Sequence, residues 1–328
     1  MPVVSVALPP YDMPAPDLPS QATGAVEVSV CCCTFRRPAG LARLLRSLRN
    51  LSPASPRHEL IVVDNDAEAS GLPAVQAARL EGMQLEYTVE PARGLARARN
   101  RSVQLATGEY VAFIDDDEEA TPRWLLELWR EVVRSGADGG IGPVVPKFSD
   151  GAANWLADAG FFERTRFPTG TRLPTELTRM GNALVARRPL MALPGPFDER
   201  FNFTGGEDGD VFARLIDAGC HFIAIDSAVV YEHLTPTRTT MRWLLKRRVR
   251  TGIDKSRLTA AGPPPRRRRL RSAGSLARAL QHGLAGLLLL PVARASGFRR
   301  LLLAARHIGH AMYLNELTCR PYLDDSWR

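Results

Sequence analysis

The sequence predicts an α/β protein: a mixed, mostly parallel sheet flanked by helices, followed by a basic α-helical carboxyl-terminal extension. Three observations carry this expectation. Strand-like and helix-like stretches alternate along residues 26–120, the pattern of βαβ units. The run Tyr110-Val111-Ala112-Phe113-Ile114 is apolar at every position, as in a strand covered on both faces. Acidic residues follow two of the strand-like stretches directly, at the carboxyl-terminal edge where open α/β sheets bind ligands.

Each element can be justified in order. "VEVSVCCCTF" reads as a first strand and "GLARLLRSLRNL" as its helix, with Leu41, Leu44, Leu45 and Leu48 at helical spacing. "HELIVVDND" is a second strand ending in acids, "GLPAVQAARLEG" a helix closed by Gly82, and "QLEYTVE" a short third strand. "GLARARNRSVQLATG" is a third helix ending at Gly108, and the fourth strand leads into "DDDEE". Thr121 and Pro122 read as the cap and first residue of the helix "RWLLELWREVV", with Glu118 and Glu119 solvated ahead of it. "GGIGPVVPKF" reads as one strand, and residues 149–178 as a loop-rich stretch suited to a substrate site or lid. "MGNALVARRPL", a helix in "FTGGEDGDVFARLIDAG" and "HFIAIDSAVVYEH" complete a globular region ending near Thr237.

A chain of 328 residues, 45% of them hydrophobic, can bury a large core, which excludes disordered and fibrous classes. Cys31, Cys32 and Cys33 are neighbours in a strand, where alternating side chains cannot be bridged, and Cys220 and Cys319 lie far off. This is the usage of a reduced, cytosolic protein with no disulfide framework and no metal-type spacing. Residues 1–25 are proline-rich without a continuous apolar core, as expected of a disordered leader and not of a secretory signal. No run of 18 or more apolar residues occurs, so no ordinary transmembrane helix is expected. The net charge of +8 is unevenly spread: from Arg238 to Arg306 there are 18 Lys or Arg against one acid, Asp254, which leaves −9 for the remainder. The expected division is therefore a leader (1–25), a catalytic domain (26–237, with halves of about 26–120 and 121–237) and a basic helical extension (238–328).

Three segments place polar groups just after strands: Thr34, then Asp64 and Asp66, then Asp115, Asp116 and Asp117. In a parallel sheet they converge on one edge, where a hard divalent cation and a nucleotide would find carboxylates and acceptors. A second acidic site lies in "GGEDGDVFARLIDAG". If a helix starts near Gly206, Asp208 shares a face with Val211, Phe212 and Leu215, whereas Asp210 aligns with Arg214 and Asp217. Asp208 would then point inward, as a general base with a burial-tuned pKa would. Glu207 and Asp208 could equally do no more than complement the helix dipole. His233, at the end of a strand, is either structural or part of a metal shell.

Together these residues resemble the family 2 glycosyltransferases, which bind nucleotide sugars on a Rossmann-like GT-A fold. The resemblance covers about residues 28–252. It rests on "VSVCCCTFRRP", "ELIVVDND", the block "GLARARNRSVQLATGEYVAFIDDDEEATPRWL", the acceptor-side motif "GGEDGDVFARLIDAG", and the later "EH" and "RRVRTG". It implies nucleotide-sugar contacts from Thr34, Arg36, Asp64, Arg93, Arg97, Asp115 and Asp116. Asp117 would be the metal ligand of a DXD-type motif, joined by His233, for Mn²⁺ or Mg²⁺. Asp208 would be the catalytic base with Glu207 beside it, and Arg247 and Arg250 diphosphate contacts. It implies an inverting displacement from a nucleoside-diphosphate sugar, a UDP-sugar favoured, onto a glycan or lipid-linked acceptor in bacterial envelope synthesis. The other readings are a nucleotide-sugar-binding protein without transfer activity and a nucleotidyltransferase; the missing glycine-rich phosphate loop argues against the latter.

The basic arm "GPPPRRRRLRS" precedes a stretch in which Leu276, Leu280, Leu284, Leu287 and Leu288 recur at helical spacing until Pro291. Basic residues flanking short apolar helices favour a hairpin on an anionic membrane surface, on the cytoplasmic face of the inner membrane, over a cap packed on the catalytic domain. No nucleic-acid module accompanies the arginines, so no nucleic-acid partner is expected.

Overall fold

The structure, a computed structural model, describes residues 25–148, 154–258 and 265–317. The expected leader, residue 25 apart, and Cys319 lie outside the described residues. The first half runs β1 (Val28–Thr34), α1 (Pro38–Arg49), β2 (His58–Asp64), α2 (Leu72–Leu80), β3 (Glu86–Val89), α3 (Leu95–Leu105), β4 (Tyr110–Phe113) and β5 (Glu118–Ala120). The second half adds α4 (Trp124–Ser135), β6 (Gly139–Ile141), β7 (Val144–Phe148), α5 (Asn154–Asp158), β8 (Ala183–Ala186), α6 (Arg187–Ala192), α7 (Glu207–Asp217), β9 (Phe222–Ala224) and β10 (Val230–Leu234). Three longer helices follow: α8 (Met241–Leu258), α9 (Pro265–Leu289) and α10 (Arg294–Leu314).

Seven strands form the main sheet in the order β3-β2-β1-β4-β8-β6-β9. The first four are parallel and β8 is antiparallel to both its neighbours. Strand alternation divides the side chains between two cores. Val28, Val30 and Cys32 pack with Leu41, Leu44, Leu45 and Leu48 of α1 and Trp124 and Leu128 of α4 on one face. Cys31, Ile61 and Phe113 pack with Val103 of α3 and Val211, Phe212 and Leu215 of α7 on the other. Each buried leucine contributes about 1.5–3 kcal/mol, so the leucine stripe read in α1 is what clamps that helix to the sheet. The cysteine triplet is thus core filling: all three are free, and burial pushes their thiols up, leaving no reactive thiolate.

Three expectations are corrected. α4 starts at Trp124, capped by Arg123, and not at Thr121-Pro122. Glu118 is buried and not solvated; with the partly exposed Glu119 and Ala120 it forms β5, the edge of a second sheet of order β5-β10-β7. "GGIGPVVPKF" is two strands in two sheets, β6 and β7. The break falls at Gly142-Pro143, where the proline has no N–H to offer a ladder. A Cβ on Gly142 would stand 2.1 Å from the Ala228 carbonyl.

Asn182 staples that break. It is fully buried in the left-handed region at φ 60. Its amide donates to the carbonyls of Pro143 (2.9 Å) and Ala228 (2.8 Å), and its Oδ1 accepts the indole N–H of Trp124 at 2.7 Å. Replacement by alanine takes the partner from the Ala228 carbonyl and the Trp124 indole N–H, at about 1–3 kcal/mol each before relaxation, while the Pro143 carbonyl keeps the Val230 N–H at 3.2 Å. Asn182→Ala is expected to lose about 3 kcal/mol of stability in urea unfolding; a loss below about 1 kcal/mol would show that the staple carries little.

Candidate active site

The strand order 3-2-1-4 leaves a crevice between the carboxyl ends of β1 and β4, a topological switch point of the kind that binds ligands in open α/β sheets. Thr34 closes β1 there and donates its hydroxyl to Asp116 Oδ2 at 2.8 Å. Arg37, the cap of α1, donates to Asp116 Oδ1 (2.9 Å) and Asp117 Oδ2 (3.0 Å). Arg238, just beyond β10, adds a 2.6 Å bond to the same Asp117 oxygen.

The environment ranks the three aspartates. Burial pushes Asp116 up to about 6 against the pull of Arg37. Burial also raises Asp115, with the Asp117 charge adding to it and Arg99 opposing. At Asp117 burial is outweighed by Arg238 and Arg37, which hold it below the usual carboxylate range. Burial and Asp115 drive Glu118 well up. Asp117 is therefore the acid held ionised.

A cavity of 630 Å³ opens from this crevice toward α7 and α8. It brings together Thr34, Arg93, Asp115, Asp116, Asp117, Glu207, Asp208, Arg247 and Arg250, nine of the residues singled out in the sequence. α7 starts from Gly206, which sits in the left-handed region at φ 97. It is Glu207, not Asp208, that turns into the protein; it is 4% exposed. Asp208, less buried, lines the cavity beside it, and Asp210 pairs with Arg214 at 2.7 Å as the helical spacing predicts.

Four residues expected in the site do not line the cavity. The Asp64 carboxylate is fully buried, accepting from Gly71 N–H (2.6 Å), Tyr87 O–H (2.9 Å) and Asp66 N–H (3.1 Å), so it pins the loop after β2. Arg36 bonds Asp66 at 3.2 Å and lies over Phe35. Arg97 pairs with Glu199 on the exposed side of α3. His233 faces Glu119 at 2.5 Å, away from the cavity, because alternation along β10 turns Glu232 inward instead. The cation expected at Asp117 thus has no histidine partner. Among the described residues no group of three His, Cys, Asp or Glu side chains could hold a metal ion unaided.

The sequence reading missed Arg37, Arg99, Arg164 and Arg238. Arg99 bridges the two acidic sites: it is 6% exposed and donates to Glu207 at 2.6 Å and Asp115 at 3.3 Å. The signal was present, since Arg99 follows Ala96 by three positions and precedes Val103 by four, on the buried face of α3. Burial pushes Glu207 up to about 7, with Arg99 drawing it back. Arg164 meets Glu232 at 2.8 Å across the cavity, but nothing in the irregular 159–179 segment marks it.

Residues 29–188 match the model described as "Glycosyl transferase family 2". The succinoglycan biosynthesis protein ExoM of Rhizobium meliloti (strain 1021) is 32% identical over 237 residues, covering 72% of this chain and 76% of that protein. The chain belongs to glycosyl transferase family 2. As a member of this family it is a glycosyltransferase. The hyaluronan synthase of Pasteurella multocida is 27% identical over 64% of this chain, but that match spans only 25% of the synthase. Among solved structures, the mannosyltransferase PcManGT of Pyrobaculum calidifontis, in complex with GDP-Man and Mn²⁺, superposes with a TM-score of 0.58 at 21% identity over 90% of this chain and 88% of that one. Residues 1–349 of TarS from S. aureus, in complex with UDP, give 0.53 at 15% identity over 89% and 92%. Both place this family 2 enzyme in the GT-A architecture read from its sequence.

Arg99 gives this site a pH-dependent test. Arg99→Met removes the cation from the buried Glu207 and from the half-exposed Asp115, and breaking the buried pair with Glu207 costs about 3–5 kcal/mol. The carboxyl of Glu207 already lies above its unfolded value, so its ionisation destabilises the fold as pH rises. Without Arg99 it rises further, and the deficit of the variant should widen between pH 6 and 9 in parallel denaturation curves. A constant deficit would mean that Arg99 acts by packing alone.

Proposed function

We propose that this enzyme is an inverting, metal-assisted transferase that moves a sugar from a nucleoside-diphosphate donor to a hydroxyl of a glycan or lipid-linked acceptor during synthesis of a bacterial surface polysaccharide. The observation that carries the reading is the single cavity in which Asp115, Asp116 and Asp117 face Asp208. The likeness to ExoM supports the polysaccharide setting. The UDP bound by TarS and the GDP-Man bound by PcManGT support a nucleotide-sugar donor, and a UDP-sugar remains favoured.

The donor nucleoside would rest at the β1/β4 crevice, with Thr34 and Asp116 at the ribose and Arg93 beside the base. Asp117, with Asp115 next to it, offers the hard oxygen donors that suit Mg²⁺ or Mn²⁺, ions that take one or two protein carboxylates and complete their shell with substrate phosphates. Such an ion would supply charge stabilisation for the departing diphosphate. Asp208 accepts the proton of the acceptor hydroxyl as its oxygen forms the new bond to the anomeric carbon. The bond to the diphosphate breaks on the opposite side, and its electron pair leaves with the nucleoside diphosphate. Arg247 and Arg250 on α8 line the same cavity and would meet that charge. Glu207, locked to Arg99, holds the start of α7 in place beside Asp208. Asp64, Arg36, Arg97 and His233 have no part in this set.

Asp208→Asn should lower sugar transfer by about 10²–10⁴-fold while nucleotide binding, read by thermal shift with UDP and GDP, stays at the wild-type level. Chelation with EDTA should abolish turnover and added Mn²⁺ or Mg²⁺ restore it. Transfer by Asp208→Asn at the wild-type rate would remove the base, and full activity in EDTA would remove the cation.

A further inference from the structure

Helix α9 packs against α10 with its leucines on the wrong side for a protein in water. Along α9 the residues turned inward are small: Ser272, Ser275, Ala279 and Gly286. Gly286 and Gly297 stand so close that a Cβ on Gly286 would meet the Gly297 carbonyl at 2.9 Å. α10 answers with Gly297, Ala304, Ala305 and Ala311 in its buried set, while its buried Phe298 and Leu302 belong to the core shared with the body. The leucines of α9 point the other way. Leu276, Leu280, Leu284, Leu287 and Leu288 are between 51 and 77% exposed, and Val292 in the turn is 88% exposed.

A soluble helix puts such a stripe into the core. Small residues of α9 in the seam, where Leu301 of α10 seats against Gly286, and leucines of α9 outside are instead the arrangement of helices surrounded by lipid, where close backbone approach supplies the association. Yet no described helix is long and apolar enough to cross a membrane. The stripe from Leu276 to Leu289 spans only about 20 Å at 1.5 Å per residue, short of the ~30 Å of a bilayer core.

Charge distinguishes a lipid surface from a protein partner. From Lys255 to Asn315 there is no Asp or Glu. Arg269 and Arg271, one to two turns ahead of the stripe, and Arg278 beside it are all exposed. α10 lies between α9 and α8, so α9 is the outermost layer. The arginines of α10 nearest the turn are engaged on the inner side: Arg294 stacks on Trp155 at 4.1 Å, and Arg299 donates to the Ala159 carbonyl at 2.9 Å. The leucine face is thereby directed away from the catalytic body.

We propose that the outer face of α9, formed by Leu276, Leu280, Leu284, Leu287 and Leu288 and flanked by Arg269, Arg271 and Arg278, lies flat in the interface of an anionic membrane without crossing it. An apolar face sunk to the headgroup boundary beside a run of arginines is the recognised form of an interfacial helix, and each arginine near an anionic surface adds to the attraction. The inference does not depend on the transfer mechanism, since none of these residues lines the cavity.

The test is flotation of the full chain with vesicles of phosphatidylcholine containing about one third phosphatidylglycerol, with pure phosphatidylcholine alongside. Three proteins are compared: wild type, L280S/L284S/L287S and R269Q/R271Q/R278Q. Wild type should float with the anionic vesicles. The leucine variant should partition at least ~10-fold less, and the arginine variant should lose the preference for phosphatidylglycerol. Both variants should keep the UDP thermal shift of wild type, since the changed side chains are exposed. Absence of wild-type flotation, or equal flotation of the leucine variant, would overturn the proposal. So would a wild-type dimer in sedimentation equilibrium that the leucine substitutions abolish, because the face would then cover a second copy of the chain.

Discussion

The crowding of carboxylates at the end of β4 is the constraint around which the rest of the site is arranged. Asp115, Asp116, Asp117 and Glu118 are consecutive, and two unit charges 4 Å apart interact by about 4 kcal/mol at an effective dielectric near 20. Such a run can be recessed only if cations come to it. They do so from three elements far apart in sequence: Arg37 at the start of α1, Arg99 in the middle of α3, and Arg238 beyond β10. Each is placed by an element already clamped to the sheet. The hydrophobic cores on the two faces therefore do more than stabilise; they deliver the counter-charges without which the acids could not stay together.

The cavity keeps both signs of charge incompletely neutralised, in different places. Along the β4 edge, burial raises Asp115 and Asp116. Elsewhere on the lining the strain is positive. Burial, with Arg164 close by, brings the guanidinium of Arg179 down to about 10, and burial beside Arg164 and Arg250 does the same for Arg247. For both, burial and neighbouring guanidiniums outweigh the carboxylates nearby. A ligand that neutralises both walls must carry negative groups toward α8 and tolerate a cation toward β4. A nucleoside diphosphate accompanied by a divalent ion has that charge distribution, and this is the electrostatic argument for the donor reading.

Local periodicity made much of this legible from the chain. The alternation of strand and helix, the all-apolar β4 and the leucine spacing of α1 each report burial on their own element, and the acids after β4 could be placed because the sheet fixes where a strand ends. What periodicity does not reach is which neighbour a polar side chain meets. Adjacency in sequence does not reveal that the cap of α1 points Arg37, and not Arg36, into the crevice. A strand end looks the same from either side, and only the pairing of His233 with Glu119 shows which side that ring faces. Asp64 ends a strand as a nucleotide-sugar contact would, yet its oxygens accept from three donors in its own surroundings. Arg99 was legible in principle, since a cation on the buried face of an amphipathic helix demands an anion inside the fold.

The boundary expected at residue 237 divides what the packing joins. α8 contributes Trp243, Lys246, Arg247 and Arg250 to the cavity wall, and it meets α10 backbone to backbone. A Cβ on Gly252 would lie 2.2 Å from the Arg306 carbonyl, and one on Gly309 would lie 2.0 Å from the Val249 carbonyl. This contact falls on the same turns of α8 that carry Arg247 and Arg250. Phe298 of α10 is fully buried against Phe161 and Leu244, closing a third core between the extension and the body. With no side chain to yield at the glycines, α10 cannot shift along α8 without moving the arginines of the cavity. The outer helix pair is thus mechanically continuous with the substrate wall, and whatever surface α9 rests on fixes the orientation in which the cavity is presented to its acceptor.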